Sequence, residues 1–374
     1  MIAIAFQMLA HKRSRLILTS MGVGVAFFLA AAQGGLLVGW IHTCTAIVRH
    51  SGADVWVMAE QTPAFDYGTA IARQKVYQLR SVPGIEWAEG LFMAWNVWQR
   101  PDGRRINVEL VGLDRRGAGG PWKTAAGRVA DLQHRRDAVM VDELYRGELG
   151  VTRAEETTEI LGRRARVIGI SSGVRTFTAA PFVFTSLKNA LGYDLRYGPD
   201  EVTYAIGKCA PGETPEAVRD RARRLIRHVE VLTTRELAWR TARYWMVETG
   251  VGITVVLTAL LGLVVGVVIT SQTLYAIVQE HVSEFATLMA LGFSRQKLAG
   301  IVLVQALLLA LVGTVVGSAL FFLASLFSSR TPIPLELTPG VYSGLAILTL
   351  VSCCASALLA VRTVWWIDPV LVFK

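Results

Sequence analysis

Charge is scarce in this chain, and so is almost every residue pattern that carries chemistry. Asp, Glu, Lys and Arg make up 18% of 374 residues, against 52% for the apolar set AVILMFWYC. That balance excludes a disordered chain and argues against a purely soluble enzyme. The four cysteines include no C-x-x-C pair, so neither a disulfide framework nor a structural metal is suggested, although a pairing of Cys44 with Cys209 stays open. The six histidines (11, 42, 50, 134, 228, 281) keep no ligand spacing, and no metal ligands are expected. There is no G-x-x-x-x-G-K-[ST]. Gly207-Lys208 lacks both the upstream glycine and the following hydroxyl, so ATP phosphates are not cradled by that route. Gly169-Ile170-Ser171-Ser172-Gly173 does match G-x-S-x-G. A nucleophile elbow needs a helix after the serine, whereas Val174 to Thr178 is β-branched and loop-like, so the motif reads as a strand-to-loop turn. No catalytic residue, cofactor-binding residue or resident cofactor is predicted.

What the chain does have is long uncharged runs. Leu16–Trp40 spans 25 residues, Thr249–Gln279 31, Leu298–Ser329 32 and Leu337–Val361 25. A helix needs roughly 20 apolar residues to cross the hydrocarbon, and the backbone there must satisfy its own hydrogen bonds. Four transmembrane helices follow, placed at 16–40, 249–275, 298–327 and 337–361. The first resembles a signal peptide, with Lys12, Arg13 and Arg15 before it and Ala30-Ala31-Ala32 inside it. The apolar run continues through Leu36, Leu37, Val38 and Trp40, so it reads as a retained helix.

Short basic flanks set the orientation. Lys12, Arg13 and Arg15 precede the first helix, Arg295 and Lys297 lie between the second and third, and Arg362 and Lys374 follow the fourth. The positive-inside rule places both termini, the 276–297 connection and the 362–374 tail in the cytoplasm of a bacterial inner membrane, and residues 1–15 form a cytoplasmic amphipathic segment. The 328–336 connection is then a short external loop, and residues 41–245 lie outside. That segment carries 30 of the 38 basic and 24 of the 29 acidic residues, most of the formal net charge of +9. The excess positive charge therefore faces away from cytoplasmic nucleic acid.

Residues 41–245 read as a mixed α+β domain of two small lobes. Ala53 to Met58 alternates like a half-buried strand. Trp87–Trp98 and Arg105–Leu113 are strand-like about the Pro101-Asp102-Gly103 turn. Further strands are expected at 165–170, 181–185, 202–206 and 229–232. Helices are expected over 70–81, 187–191 and after Thr214, an N-cap followed by Pro215. Val218, Ala222, Leu225, Ile226 and Val229 share one face of that last helix. Thr233 and Glu236 form a capping box, and beyond them nothing in the sequence breaks a helix until about Gln279. The second membrane helix is thus expected to begin outside the membrane as a stalk, matched by 41–50 above the first.

Three G-x-x-x-G pairs lie in the membrane runs: Gly35/Gly39, Gly262/Gly266 and Gly313/Gly317. Small residues let helix backbones approach, so Gly35, Gly39, Gly262 and Gly266 are candidates for packing of helices one and two between two copies of the chain. Gln33, Gln272 and Gln305 are polar residues at or near hydrocarbon depth. On the cytoplasmic side, Phe285, Leu288, Met289 and Gly292 share one face of a short helix that begins with Glu280 and Glu284. Gly292 suits its end, and such an amphipathic helix can rest in a partner's groove.

The stretch Glu280 to Gly292 resembles the E-x-x-x-E-[FI]-x-x-L-x-A-L-G element of FtsX/MacB-type permeases, and Ile367-Asp368-Pro369-Val370-Leu371 resembles the ending of those chains. Ser51 to Val57 and Arg163 to Gly169 are similar to the DevC branch, in which no ATPase is fused. The resemblance implies the permease of a type VII ABC transporter working by mechanotransmission: a homodimer served by two separate ATPase subunits that bind ATP and magnesium. It implies Glu280, Glu284, Phe285, Leu288, Met289 and Gly292 as the ATPase-coupling segment. It further implies a periplasmic membrane-fusion adaptor and an outer-membrane channel as partners in export. FtsX-like control of cell-wall hydrolases and LolC/LolE-like lipoprotein release use the same topology.

Overall fold

The computed structural model describes residues 13–152, 155–178, 180–280, 287–289, 291–328 and 331–365. The chain divides into two compact units, one made chiefly of long helices and one spanning Trp40–Gly252. In chain order the helices are α1 (Arg13–His50), α2 (Gln74–Arg80), α3 (Asp131–His134), α4 (Arg146–Leu149), α5 (Leu187–Tyr193), α6 (Pro215–Leu225), α7 (Thr234–Arg243), α8 (Val251–Glu280), α9 (Arg295–Ser328) and α10 (Pro339–Trp365). The strands are β1 (Val55–Met58), β2 (Ile71–Ala72), β3 (Ile85–Gln99), β4 (Arg105–Leu113), β5 (Thr124–Ala126), β6 (Ala138–Asp142), β7 (Thr157–Ile160), β8 (Arg163–Ser171), β9 (Phe182–Ser186), β10 (Glu201–Val202), β11 (Tyr204–Cys209) and β12 (Glu230–Thr233).

The Trp40–Gly252 unit, called the outer unit after the side on which the positive-inside rule places it, is built on the 15-residue strand β3. Its first half joins the antiparallel order β12-β1-β11-β3. Its second half enters a closed ring, β3-β4-β9-β6-β8-β7, which β7 seals by pairing Trp98 with Ile160 and Gln99 with Glu159. The two expected lobes are therefore two parts of one sheet, sharing one strand. Trp98 is fully buried, and its indole N–H donates to the Leu149 carbonyl at 3.0 Å, so its polar edge is satisfied.

Strand β1 differs from its expected half-burial. It lies between β11 and β12, and all four residues are buried: Val55 and Val57 in one core with Val76, Leu79, Val218 and Ala222, Trp56 and Met58 in another with Tyr204, Ile206 and Leu237. The caps form as the sequence indicates. Thr214 Oγ1 accepts from the Ala217 N–H ahead of Pro215, and Thr233 with Glu236 completes a reciprocal capping box. On α6, Val218, Ala222 and Ile226 are buried, but Leu225 is 59% exposed, because it sits a residue off the i, i+4, i+8 row that meets the sheet. Cys44 and Cys209 are both free, so the open pairing is not made.

The second long helix also departs from expectation. Instead of one rod from Thr233 to Gln279, α7 ends at Arg243, a π-helical turn spans Tyr244–Glu248, and α8 starts at Val251. Thr249 N–H reaches Tyr244 O at 3.4 Å, the wide i to i−5 spacing, and Gly250 takes φ +77°. A side chain is strained at that φ, so glycine makes the break possible.

Among the described residues, four helices are long and apolar enough to cross a membrane: Ser20–His50, Val251–Ile269, Gln296–Ser328 and Pro339–Leu358.

Candidate functional site

The coupling segment is visible at its C-terminal end. Leu288 and Met289 are helical, and Gly292 has φ +91°. Phe293 N–H donates to Leu288 O at 3.0 Å and Gly292 N–H to Met289 O at 2.9 Å. That crossed pair is a Schellman cap, which only a residue at ease with positive φ closes without strain. Leu288, Met289 and Phe293 are half-buried against an apolar cluster of the same chain that draws on Val23 of α1, Leu298, Ile301 and Val302 of α9, and Cys353 and Ala357 of α10. Leu291, next to the cap, is 73% exposed. Glu280 is the last residue of α8, while Glu284 and Phe285 lie outside the described residues, as does the Ile367–Leu371 ending.

The glycine pairs separate by what they touch. A Cβ on Gly313 would collide with Val23 Cγ1, and one on Gly317 would fall 2.5 Å from Gly24 O, so α9 and α1 meet backbone to backbone there. Gly35 and Gly39, expected at a surface between copies, make close contacts inside their own chain: Phe321 and the Glu336 carbonyl for Gly35, and the Pro334 carbonyl for Gly39, where a Cβ would collide with it. Glu336 N–H also donates to Gly35 O at 3.1 Å. Gly262 meets only Leu29 Cβ at 3.9 Å, and the packing of Gly266 lies outside the described residues. Gln305 is buried, whereas Gln272 is exposed on this chain.

A third feature escaped sequence reasoning: the foot of the outer unit, around the π-helical turn. Trp245 projects from that turn, and its indole N–H donates to Asp66 Oδ2 at 2.7 Å. Its ring meets Phe177 edge-on at 4.7 Å, stacks on Tyr67 at 5.9 Å, and has Tyr244 beside it. Phe177 in turn meets Trp40 edge-on at 5.4 Å. One loop side chain thus touches an aromatic residue from α1 and another from the turn before α8. The Phe177 loop is tied from behind: Val174 N–H donates to Asp142 Oδ2, Thr176 N–H to Tyr145 Oη, and Thr178 Oγ1 to Glu109 Oε1. The G-x-S-x-G match lies at the start of this loop. Ser171 is buried and donates to Asp142 Oδ2 at 2.8 Å, which fits a strand-to-loop turn. The signal was weak, a run of isolated aromatics far apart in sequence.

Among the described residues, no three His, Cys, Asp or Glu gather in a way that could hold a metal.

Comparison with known proteins decides the family. Residues 16–225 match the MacB-like periplasmic core domain, and residues 256–369 match the FtsX-like permease C-terminal domain. The chain belongs to the FtsX/MacB-type ABC transporter permeases. An uncharacterized ABC transporter permease of Mycobacterium tuberculosis (strain H37Rv) is 24% identical over 386 residues, covering 100% of this chain and 99% of that one. Another, from Mycobacterium bovis, is 26% identical over 371 residues, covering 97% and 96%. Among solved structures, the periplasmic region of MacB from Actinobacillus actinomycetemcomitans is 11% identical with a TM-score of 0.39, covering 50% of this chain and 93% of that one. The extracellular domain of the transporter YknZ from Gram-positive bacteria is 10% identical with a TM-score of 0.37, covering 48% and 98%. This permease is accordingly a membrane protein of a family of non-catalytic transporter subunits.

Proposed function

We propose that this permease acts as a mechanical relay. A separate ABC ATPase, holding ATP and magnesium, docks on the cytoplasmic 280–292 segment; the movement passes through the membrane helices to the outer unit. The observation that carries this reading is the Schellman-capped end of the coupling segment: Leu288, Met289 and Phe293 fasten it to the apolar cluster of the helical unit, so a push on Leu291 acts on packed helices and not on a loose loop. Two copies of the permease with two ATPases, both termini cytoplasmic in a bacterial inner membrane, complete the assembly, as the short basic flanks favour. Delivery to a periplasmic adaptor and an outer-membrane channel is the export route that the DevC-like features favour.

Docking is tested by co-purifying the ATPase with the full-length permease. Glu284→Arg combined with Leu291→Asp places a like charge and a buried polar group where the partner would sit. The expected result is loss of the ATPase from a permease that still elutes as wild type. Retention of the ATPase by that double variant would overturn the docking assignment. The permease alone is expected to hydrolyse no ATP; hydrolysis by the partner-free protein that disappears when this chain is mutated would contradict it.

A further inference from the structure

We propose that Asp66 and Glu109 form a shared proton-binding site that sets how firmly the foot of the outer unit holds the break at Tyr244–Gly250. The two carboxylates grip the same aromatic assembly from two sides. Asp66, in the turn Phe65–Tyr67, holds Trp245; Glu109, on β4, holds Thr178, the residue after Phe177; and Phe177 and Trp245 are in edge-on contact. Asp66 is 2% exposed and Glu109 wholly buried. Glu109 Oε2 has no hydrogen-bond partner, the condition a buried carboxylate tolerates when it carries a proton.

Among the described residues no cation is paired with either carboxyl; Arg49 acts on the Cys44 thiol beside Asp66. Facing the pair are the Cys44 thiol from α1, Tyr67 from the same turn and Tyr204 from β11, together with each carboxyl's partner; Tyr244 stands behind them against Tyr67 and Trp245. No lysine, arginine or histidine forms an ion pair with either carboxyl among the described residues. The turn bearing Asp66 is itself fixed: Phe65 N–H donates to Thr241 Oγ1, Tyr204 Oη to Phe65 O, and Trp95 Nε1 to Asp66 O. The carboxyls therefore cannot swing to water without undoing the foot.

Burial pushes Asp66 up to about 6, against the pull of the Trp245 indole. Burial first, and then the Asp66 charge, hold Glu109 well above the usual carboxylate range. Both groups bind protons more tightly in the closed foot than in a solvated one. The closed arrangement is thus favoured at low pH, and the advantage is lost as pH rises from the ordinary carboxylate range through about 6, the folded value of Asp66. Ionising both carboxyls leaves two negative charges behind one aromatic layer, and the layer loosens at Phe177 and Trp245.

The test is hydrogen–deuterium exchange on the full-length permease in nanodiscs, at about pH 5 and about pH 7.5, corrected for the intrinsic chemical rate. Peptides covering Thr176–Thr178 and Tyr244–Gly252 are expected to lose protection about tenfold on going to the higher pH, the factor that one pKa unit represents. Glu109→Gln keeps the shape and removes one of the two charges, so its loss of protection at the higher pH should be clearly smaller than that of the wild type. Asp66→Asn keeps an acceptor for Trp245 and should flatten the profile in the same way, which covers the case that one variant folds poorly. Trp245→Phe should be weakly protected at both. Protection in the wild type that does not change with pH, or a wild-type profile in both Glu109→Gln and Asp66→Asn, would overturn the proposal. No ATPase enters the measurement, so its outcome is separate from that of the docking experiment.

Discussion

Helices α9 and α8 carry the same G-x-x-x-G pattern and use it differently. On α9, Gly313 and Gly317 admit the backbone of α1 at Gly24 and the side chains of Val23 and Phe27, at distances no Cβ would permit. On α8, Gly262 faces a single carbon at van der Waals distance, and Val256, Leu260, Leu261, Val264, Val265 and Val268 stay exposed on the isolated chain. Spacing alone says that two small residues share a helix face; it does not say what that face meets. The difference divides the labour within the helical unit. The α1–α9 seam is a fixed contact, as its loss of any room for side chains requires, whereas α8 presents an exposed apolar row among its described residues and is joined to the outer unit through a helix break.

The largest expected effect lies on the seam. Gly317→Leu would drive a branched side chain into Gly24 O and Phe27, and overpacking of this kind costs about 1–3 kcal/mol in soluble cores. The thermal unfolding midpoint in detergent should drop well below that of the wild type. An unchanged midpoint would mean that α1 and α9 shift apart freely, and the contrast with α8 would collapse.

An intermediate effect belongs to the break itself. Gly250→Ala meets no neighbouring atom, so any cost comes from the left-handed φ, about 1–2 kcal/mol for an L side chain. The midpoint should fall by less than for Gly317→Leu. A variant that instead gains stability would show that the helix prefers to run straight through residue 250, as its sequence suggests.

That suggestion shows where legibility stopped. The membrane helices were readable because uncharged runs of such length have few other uses. Strands β3 and β4 were readable from alternation about a turn, and the caps at Thr214, Thr233 and Gly292 from local chemistry alone. The break at Thr249–Gly250 was not, because a π-helical turn has no composition of its own and one glycine in an apolar run is compatible with a helix. Strands β5, β6 and β7 are only three to five residues long and gain their definition from the sheet, β6 and β7 within the ring and β5 at the edge on β8. In the coupling segment the apolar face was legible, but its direction was not: the cluster it joins is assembled from other helices of the chain. Asp66 and Glu109 stand 43 positions apart on different elements, and no local pattern joins them.

The smallest effect separates two meanings of the bare α8 face. Gly262→Leu adds a side chain where only Leu29 Cβ lies within 4 Å, so the stability of the single chain should change by no more than about 0.5 kcal/mol, the usual range for uncrowded surface positions. Lipid alone can cover the exposed valines and leucines of α8, and then the substitution has no further consequence. A second copy covering that face would respond differently, because the added leucine would keep the two α8 backbones apart. Leu260→Cys reports on this in membranes: in the dimer proposed above, oxidation should link two chains through residue 260, and Gly262→Leu in the same chain should reduce the yield. Links between chains that form only from cysteines on α9 or α10 would place the pairing surface elsewhere and leave α8 to the lipid.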